Sequence, residues 1–382
     1  MLKNKKRVMI LGAGEYQVPI IHKSATEGYY TIVIDQNPAA PGFQYANKKI
    51  IISTHDKNRI LKVAQENNID GILTTSDFPV RVVAYVAEKM NLKALSVETA
   101  NISTDKFLLR ETLKKNNLNY PKYILAKNKN DLAKVSFFPA VIKPVDASAS
   151  RGVRKVNTKE ELLKEFEVSK RFSLTQKVII EEFIEGKEYS IEAITYNSKT
   201  KIIAVTQKKK IGEKEGYFVE YSHKIPADIT EKDYELIKKT VLDLILAVNL
   251  NNSSSHTEII LSEKKAYIIE IGARLGGDFI TSDLVPLATG VDMLKNIIQM
   301  SINEEIDLNV KYNKYSAVQF ITPDNYFSAS EFIKKKRKEL IKYNLKPYKK
   351  KIIKNSLDRL GYIILQTSTK NELEDIIKII NN

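Results

Sequence analysis

Two glutamates offer the most specific chemistry in this sequence. Glu258 lies in His256-Thr257-Glu258-Ile259-Ile260-Leu261, and Glu270 in Ala266-Tyr267-Ile268-Ile269-Glu270-Ile271-Gly272. Both segments are β-type apolar runs, and Ser262-Glu263-Lys264-Lys265 between them reads as a hairpin turn. Pairing across that turn sets the two glutamates opposite each other on one face, roughly 5 Å apart at Cβ. Carboxylates that close on an apolar hairpin are costly unless a cation lies between them. Oxygen-only ligands suit Mg²⁺, with phosphates completing its shell. The competing reading, an exposed hairpin with two solvated glutamates, must account for the isoleucines and the tyrosine that flank them. Just beyond, Arg274 brings a planar donor fork fitted to a γ-phosphate or acyl phosphate, and Gly276-Gly277 lets main chain approach a substrate carboxylate.

Three weaker signals accompany the pair. Ala140-Val141-Ile142-Lys143-Pro144 is an apolar strand ending in a lysine, and the mostly small segment Val145 to Ser150 leads to Arg151-Gly152. Such a segment lets main-chain NH groups and serine hydroxyls close over phosphates; a surface turn with a snorkelling lysine is the plainer alternative. Val178 to Ile184 runs as an apolar strand into Phe183-Ile184, an edge able to pair with an adenine, and Glu188 follows within reach of ribose hydroxyls. Gly12-Ala13-Gly14 joins a strand to a helix, with Asp35 ending the next strand. A dinucleotide fingerprint needs a third glycine where Gln17 stands, so a tight strand-to-helix turn is preferred, with room for a small anion or substrate. The Walker phosphate loop is absent.

The elements that must position these residues fall into three stretches. The first hundred residues alternate strands (Arg7–Leu11, Thr31–Ile34, Ile50–Ile52, Gly71–Thr74) with helices, including one opened by Pro79, which predicts a doubly wound parallel sheet. From Ser103 a helix, Asp105–Lys115, leads into a mixed α+β region. It holds a helix capped at Thr158–Glu161, strands at Tyr189–Thr195, Lys201–Lys209 and Val219–Ile225, a long helix Glu231–Val248, and the glutamate hairpin. The tail adds a strand, a basic helix, a strand at Gly361–Gln366 and a helix capped at Thr369–Glu372. The expected division is 1–102, 103–310 with a small lid at 122–186, and 311–382 as a C-terminal α/β lobe completing the core.

Composition narrows the function classes. The absence of cysteine excludes disulfides, thiolate metal sites and a cysteine nucleophile. No signal-peptide core and no bilayer-length apolar run is present, which predicts a cytoplasmic protein without membrane contact. The net charge of +15 invites a nucleic-acid partner, but the basic run Lys334 to Lys338 and Lys349 to Lys351 has few interleaved aromatics and reads as a solvated face.

In order along nearly the whole chain, these residues resemble the ATP-grasp superfamily, especially its carboxylate–amine ligases such as the L-amino-acid ligases and carbamoyl-phosphate-synthetase-like proteins. Val33 to Pro38, Ala40-Pro41-Gly42 and Gly71 to Pro79, with Asp77 as a substrate-side candidate, resemble the family's N-terminal lobe, and Thr104-Asp105-Lys106 resembles the start of its nucleotide domain. The resemblance implies a two-subdomain ATP-grasp fold after the N-terminal sheet. It implies that Lys106 and Lys143 hold ATP phosphates under a lid of Ser148, Ser150, Arg151 and Gly152. Glu181, Phe183 and Ile184 would meet the adenine and Glu188 the ribose. Glu258 and Glu270 would bind two Mg²⁺ ions, or Mn²⁺, and Arg274 would steady the transition state with Lys143 and Glu270 as catalytic partners. His223, in Phe218 to Ala227, with Gly276 and Gly277, would face substrate. The family often has asparagine where Gly272 stands, and a glycine where the lid has Ala149. The implied reaction joins a small-molecule carboxylate to an amine through an acyl phosphate, releasing ADP and phosphate, in a chain that is monomeric or a homodimer. The alternatives are a bicarbonate- or formate-activating ligase of the purine-pathway type and a nucleotide-binding module without turnover.

Overall fold

The computed structural model describes residues 5–263 and 265–382. Its N-terminal sheet has strands β1 (Arg7–Leu11), β2 (Tyr30–Asp35), β3 (Lys48–Ile51) and β4 (Gly71–Leu73), all parallel in the order β3-β2-β1-β4. Alternate side chains of β1 enter different layers. Met9 and Leu11 pack with Ile60, Val83 and Ala87 from helices Lys57–Glu66 and Val80–Lys89. Val8 and Ile10 pack with Ile20, Ile21, Ile297 and Ile298 from Val18–Thr26 and Met293–Ser301. Burial on both faces is why β1 reads as an unbroken apolar run, whereas the edge strand β3 is mostly exposed. The second layer includes a helix from far along the chain, so the N-terminal sheet is closed by Met293–Ser301. Gly71 permits this approach, since a Cβ there would lie 2.6 Å from the Ser301 carbonyl oxygen.

The lid is an antiparallel sheet of β5 (Tyr123–Ala126), β6 (Ala140–Pro144), β7 (Arg154–Val156) and β8 (Val178–Glu182), ordered β5-β8-β6-β7. Helix Lys159–Lys170 seals one face with Leu162 and Phe166, and the Thr158 hydroxyl caps it by accepting from the Glu161 NH.

The large sheet holds β9 (Lys187–Tyr196), β10 (Lys199–Ile211), β11 (Val219–Ile225), β12 (Ser253–Ser262), β13 (Lys265–Gly272), β14 (Tyr315–Ile321), β15 (Leu340–Leu345) and β16 (Gly361–Thr367). Their order, β13-β12-β9-β10-β11-β14-β16-β15, makes the tail's three strands an extension of the sheet that carries the glutamate hairpin. Helix Glu231–Ala247 covers β12 and β13 with Ile237, Val241 and Leu244. Four elements escaped the sequence patterns, among them the short lid strands β5 and β7. The edge strand β15 is largely exposed and carries lysine, tyrosine and asparagine, so it lacks apolar alternation. Helix Val97–Ser103 is short, and its signal is the Ser96 hydroxyl accepting from Thr99 NH.

Candidate active site

Antiparallel pairing of β12 with β13 makes Glu258 and Glu270 direct partners, with a register shift immediately after Glu258. Both line an open cleft of about 720 Å³ between the lid and the large sheet, shared with Lys106, Lys143, Ser148, Ser150, Phe183, Ile184 and Glu188. Every donor these two acids offer is an oxygen, which fits a hard divalent cation. Gly272, two residues after Glu270, adds no ligand. A Cβ there would sit 3.2 Å from the Arg274 guanidinium carbon, so a larger side chain would crowd the arginine.

The cleft's lysines are held by carboxylates rather than solvent. Lys106 Nζ donates to the Ala147 carbonyl at 2.7 Å and pairs with Glu270 at 3.2 Å. Lys143, near the end of β6, reaches Glu181 at 2.7 Å, and the fully buried Arg110 meets the same carboxylate at 2.8 Å. Burial by itself would raise the Glu181 carboxyl, but the Arg110 guanidinium and the Lys143 ammonium outweigh it and hold the pKa at about 2. That carboxylate is thus committed to fixing Lys143. Phe183 packs its ring near Phe218, 6.5 Å between centroids, with Lys155 Nζ 3.6 Å from the Phe183 centroid.

The small-residue loop adopts left-handed backbone at Ala149, Ser150 and Gly152, with φ of 58°, 54° and 73°. Ala149 takes this conformation in spite of its Cβ, a strain of order 1 kcal/mol. At Gly152 a Cβ would approach the Phe172 ring to 2.8 Å and Pro144 to 2.9 Å, so a side chain is excluded twice over. Arg151 lies 5.1 Å from the centroid of Phe78, joining the loop to the N-terminal lobe.

Arg274 is engaged by Asp77, with Nε 2.7 Å from Oδ1 and Nη2 3.0 Å from Oδ2. Burial would raise the Asp77 carboxyl, but Arg274 overrides it and holds it below the usual range. Gly276 and Gly277 line a second open cavity of about 1280 Å³, walled by Tyr16, Phe279, Phe320 and Tyr362. A Cβ on Gly276 would come within 2.7 Å of Glu192 Oε2 and His256 Nδ1. His223 is 1% exposed and sits behind that cavity's wall, its Nε2 3.9 Å from Asp278 and its ring edge-on to Phe320. At the strand-to-helix turn, Asp35 accepts from the Ala13 NH at 2.8 Å, a closed turn without a free dinucleotide cradle.

Several residues of this region carried no recognised signal. Lys208, 3% exposed, lies among Glu188, Glu220 and Glu258. Burial draws its ammonium down, but the three carboxylates hold its pKa well above the usual lysine value. Glu192 and His256 form a buried pair at 2.6 Å. Three adjacent lysines in β10 do not reveal which of them turn inward, whereas Lys334 to Lys338 are exposed as expected. Among the described residues no helix is long and apolar enough to cross a membrane.

Comparison with known proteins agrees with this geometry. Residues 136–283 match the ATP-grasp domain family. Formate-dependent phosphoribosylglycinamide formyltransferase of Methanocaldococcus jannaschii is 25% identical over 202 residues, 51% of this chain and 52% of that protein. The chain therefore spans about half the length of this relative. Dapdiamide A synthase of Enterobacter agglomerans is 22% identical over 295 residues, 72% of this chain and 69% of that one. The crystal structure of an L-amino acid ligase from Bacillus licheniformis superposes with a TM-score of 0.83 over 99% of this chain and 97% of that one, at 22% identity, a likeness of fold. The matched segment contains Lys143, the small-residue loop, both hairpin glutamates and Arg274, so the part of the chain that resembles an ATP-grasp domain is the part that builds the cleft.

Proposed function

We propose that the chain is an ATP-dependent carboxylate–amine ligase: it activates a small-molecule carboxylate as an acyl phosphate, transfers the acyl group to an amine, and releases ADP and phosphate. The observation that carries this reading is the cross-strand pair Glu258–Glu270 opening onto the same cleft as Lys106, Lys143 and the small-residue loop. The similarity to dapdiamide A synthase, and the shared fold with an L-amino acid ligase, support the same class.

In this reading Lys106, Lys143 and the loop Ser148 to Gly152 bind the phosphates of ATP. Phe183 and Ile184, with main chain beside Glu181, receive the adenine, and Glu188 the ribose. Glu258 and Glu270 hold Mg²⁺, as two ions, with Mn²⁺ an acceptable substitute. When bound, the metal supplies charge neutralisation at the transferring phosphoryl group. The substrate carboxylate attacks the γ-phosphorus in line, and the bond to the β–γ bridging oxygen breaks, its electrons leaving with ADP. Lys143 and Arg274 stabilise the charge that develops, which is the main task in such transfers. The amine then attacks the acyl carbon, and the carbon–oxygen bond to phosphate breaks. The lid over the cleft keeps water from the acyl phosphate. The carboxylate is drawn from the glycine-lined cavity, where Gly276 and Gly277 allow close main-chain approach.

The match to a formate-dependent relative favours a second reading, activation of formate or bicarbonate for a purine-precursor amine. Such amines carry a ribose phosphate and require an anion site in the N-terminal lobe, where Asp35 already occupies the Ala13 NH. The test is phosphate release from ATP and Mg²⁺ in the presence of pooled amino acids and amines, with formate and bicarbonate pools in parallel. Release that needs a carboxylate and an amine together supports the ligase; release only with formate or bicarbonate shifts the assignment to the second reading. ADP formed from no mixture overturns both.

A further inference from the structure

Glu188, Glu220 and Glu258 approach one another from three different strands, with a carboxylate oxygen of each lying within 4.8 Å of the others. The strand order β12-β9-β10-β11 sets Glu258, Glu188 and Glu220 around β10, and Lys208 rises from β10 into their midst. Its Nζ lies 2.6 Å from Glu258, 3.0 Å from Glu220 and 3.1 Å from Glu188. The contact to Glu258 is a hydrogen bond, and those to Glu220 and Glu188 are close ion pairs. Lys210, two residues on and so on the same face of β10, adds a 2.6 Å contact to Glu188 and a 3.7 Å contact to Glu220. A grouping of three acids that by oxygen count would suit a divalent cation is thus filled from within the chain.

We propose that Lys208 is a resident counter-cation that aligns Glu258 and Glu188 in the nucleotide-free cleft and keeps divalent metal from settling there until a nucleotide arrives with it. The inference rests on the ligase reading only in taking Glu258 as a metal ligand and Glu188 as a ribose contact. Lys208 is a positioning residue: with its side chain 3% exposed it acts through the carboxylates. The physical reason is competition. A tethered ammonium is present at high effective concentration, whereas Mg²⁺ gives up its waters reluctantly. Without phosphates to complete its shell, the free ion gains too little to displace the lysine. Removing the Lys208 charge leaves Lys210 to serve Glu188 and Glu220, with His256 3.5 Å from Glu258, and the unbalanced negative charge at the centre of the three carboxylates draws a cation from solution.

Mn²⁺ is the probe, titrated into the full chain without nucleotide and followed by the loss of its free-ion EPR signal. Lys208→Met is expected to bind Mn²⁺ about tenfold more tightly than the parent, while Lys208→Arg, which keeps the charge, stays near the parent. Adding Glu220→Gln to Lys208→Met removes most of the gain. Equal affinity in parent and Lys208→Met, or an equal gain in Lys208→Arg, overturns the proposal. If Lys208→Met does not fold in metal-free buffer, Mn²⁺ should restore its circular dichroism while the same ionic strength of NaCl does not. A chain left unfolded at every Mn²⁺ concentration also overturns it. A parent that releases phosphate from no substrate pool sinks the ligase reading but leaves the Mn²⁺ comparison able to decide this one.

Discussion

Arg274 and Asp77 meet as a two-pronged ion pair across 197 residues of chain, Nε to Oδ1 at 2.7 Å and Nη2 to Oδ2 at 3.0 Å. The pair joins the end of the glutamate hairpin to the segment that follows β4, so the proposed transition-state cation is oriented by the N-terminal lobe. A bidentate guanidinium–carboxylate contact fixes direction as well as charge.

Asp77→Ala should therefore have two effects. Arg274 remains largely buried without its partner, which lowers stability by about 3 kcal/mol, measurable by urea unfolding. The freed guanidinium loses its aim, and phosphate release falls about tenfold or more at saturating ATP. Parent-like turnover in a destabilised variant would show that the pair is structural only.

Glu270→Ala removes a proposed metal ligand and the partner of Lys106. Phosphate release should drop by about a hundredfold or more, the usual cost of removing one preorganised charge-stabilising element. Should the variant release phosphate as fast as the parent, Glu270 has been assigned wrongly.

Gly272→Asn would install the residue that related ligases often carry. A Cβ at this position meets the Arg274 guanidinium at 3.2 Å, and the arginine is pinned by Asp77. The substitution should slow turnover, with little change in ATP affinity. Faster turnover at lower Mg²⁺ would mean that the packing conflict is unimportant and that metal ligation limits this chain.

Glu181→Gln tests the buried ion triad through pH. The Glu181 pKa is depressed from 4.5 to about 2 in the fold. A depressed carboxyl contributes stability that is complete above its unfolded pKa and is lost as pH falls through its folded pKa. The difference corresponds to about 3 kcal/mol. The stability gap between parent and Glu181→Gln should be constant above pH 4.5 and narrow progressively towards pH 2. A gap independent of pH over that window would show that the Glu181 carboxyl is not depressed in the fold.

Much of this site was legible in the chain because its decisive features are local. The hairpin follows from two apolar runs and a short turn, but the turn sets the register of Ser262 opposite Lys265, and only the shift after Glu258 brings that residue opposite Glu270. The lysine-tipped strand, β6, and the small loop after it were legible for the same reason, since strand alternation and residue size are properties of consecutive positions. The edge strand β15 was not, because a strand exposed along most of its length has no apolar periodicity to display. Nor was the burial of Lys208: adjacent lysines look alike in a chain, and only pleat direction and neighbouring strands decide which of them turns inward.

What the amino-acid order determined by itself was therefore most of the elements and the contacts within each: the parallel N-terminal alternation, the two central lid strands β6 and β8, and the glutamate hairpin. Tertiary structure alone decided how the charges were partnered. Asp77 became the clamp on Arg274, Arg110 and Lys143 converged on Glu181, and His223 was drawn behind the cavity wall. Short-range patterning sets backbone geometry, whereas the pairing of a buried charge depends on which distant strand comes to lie beside it.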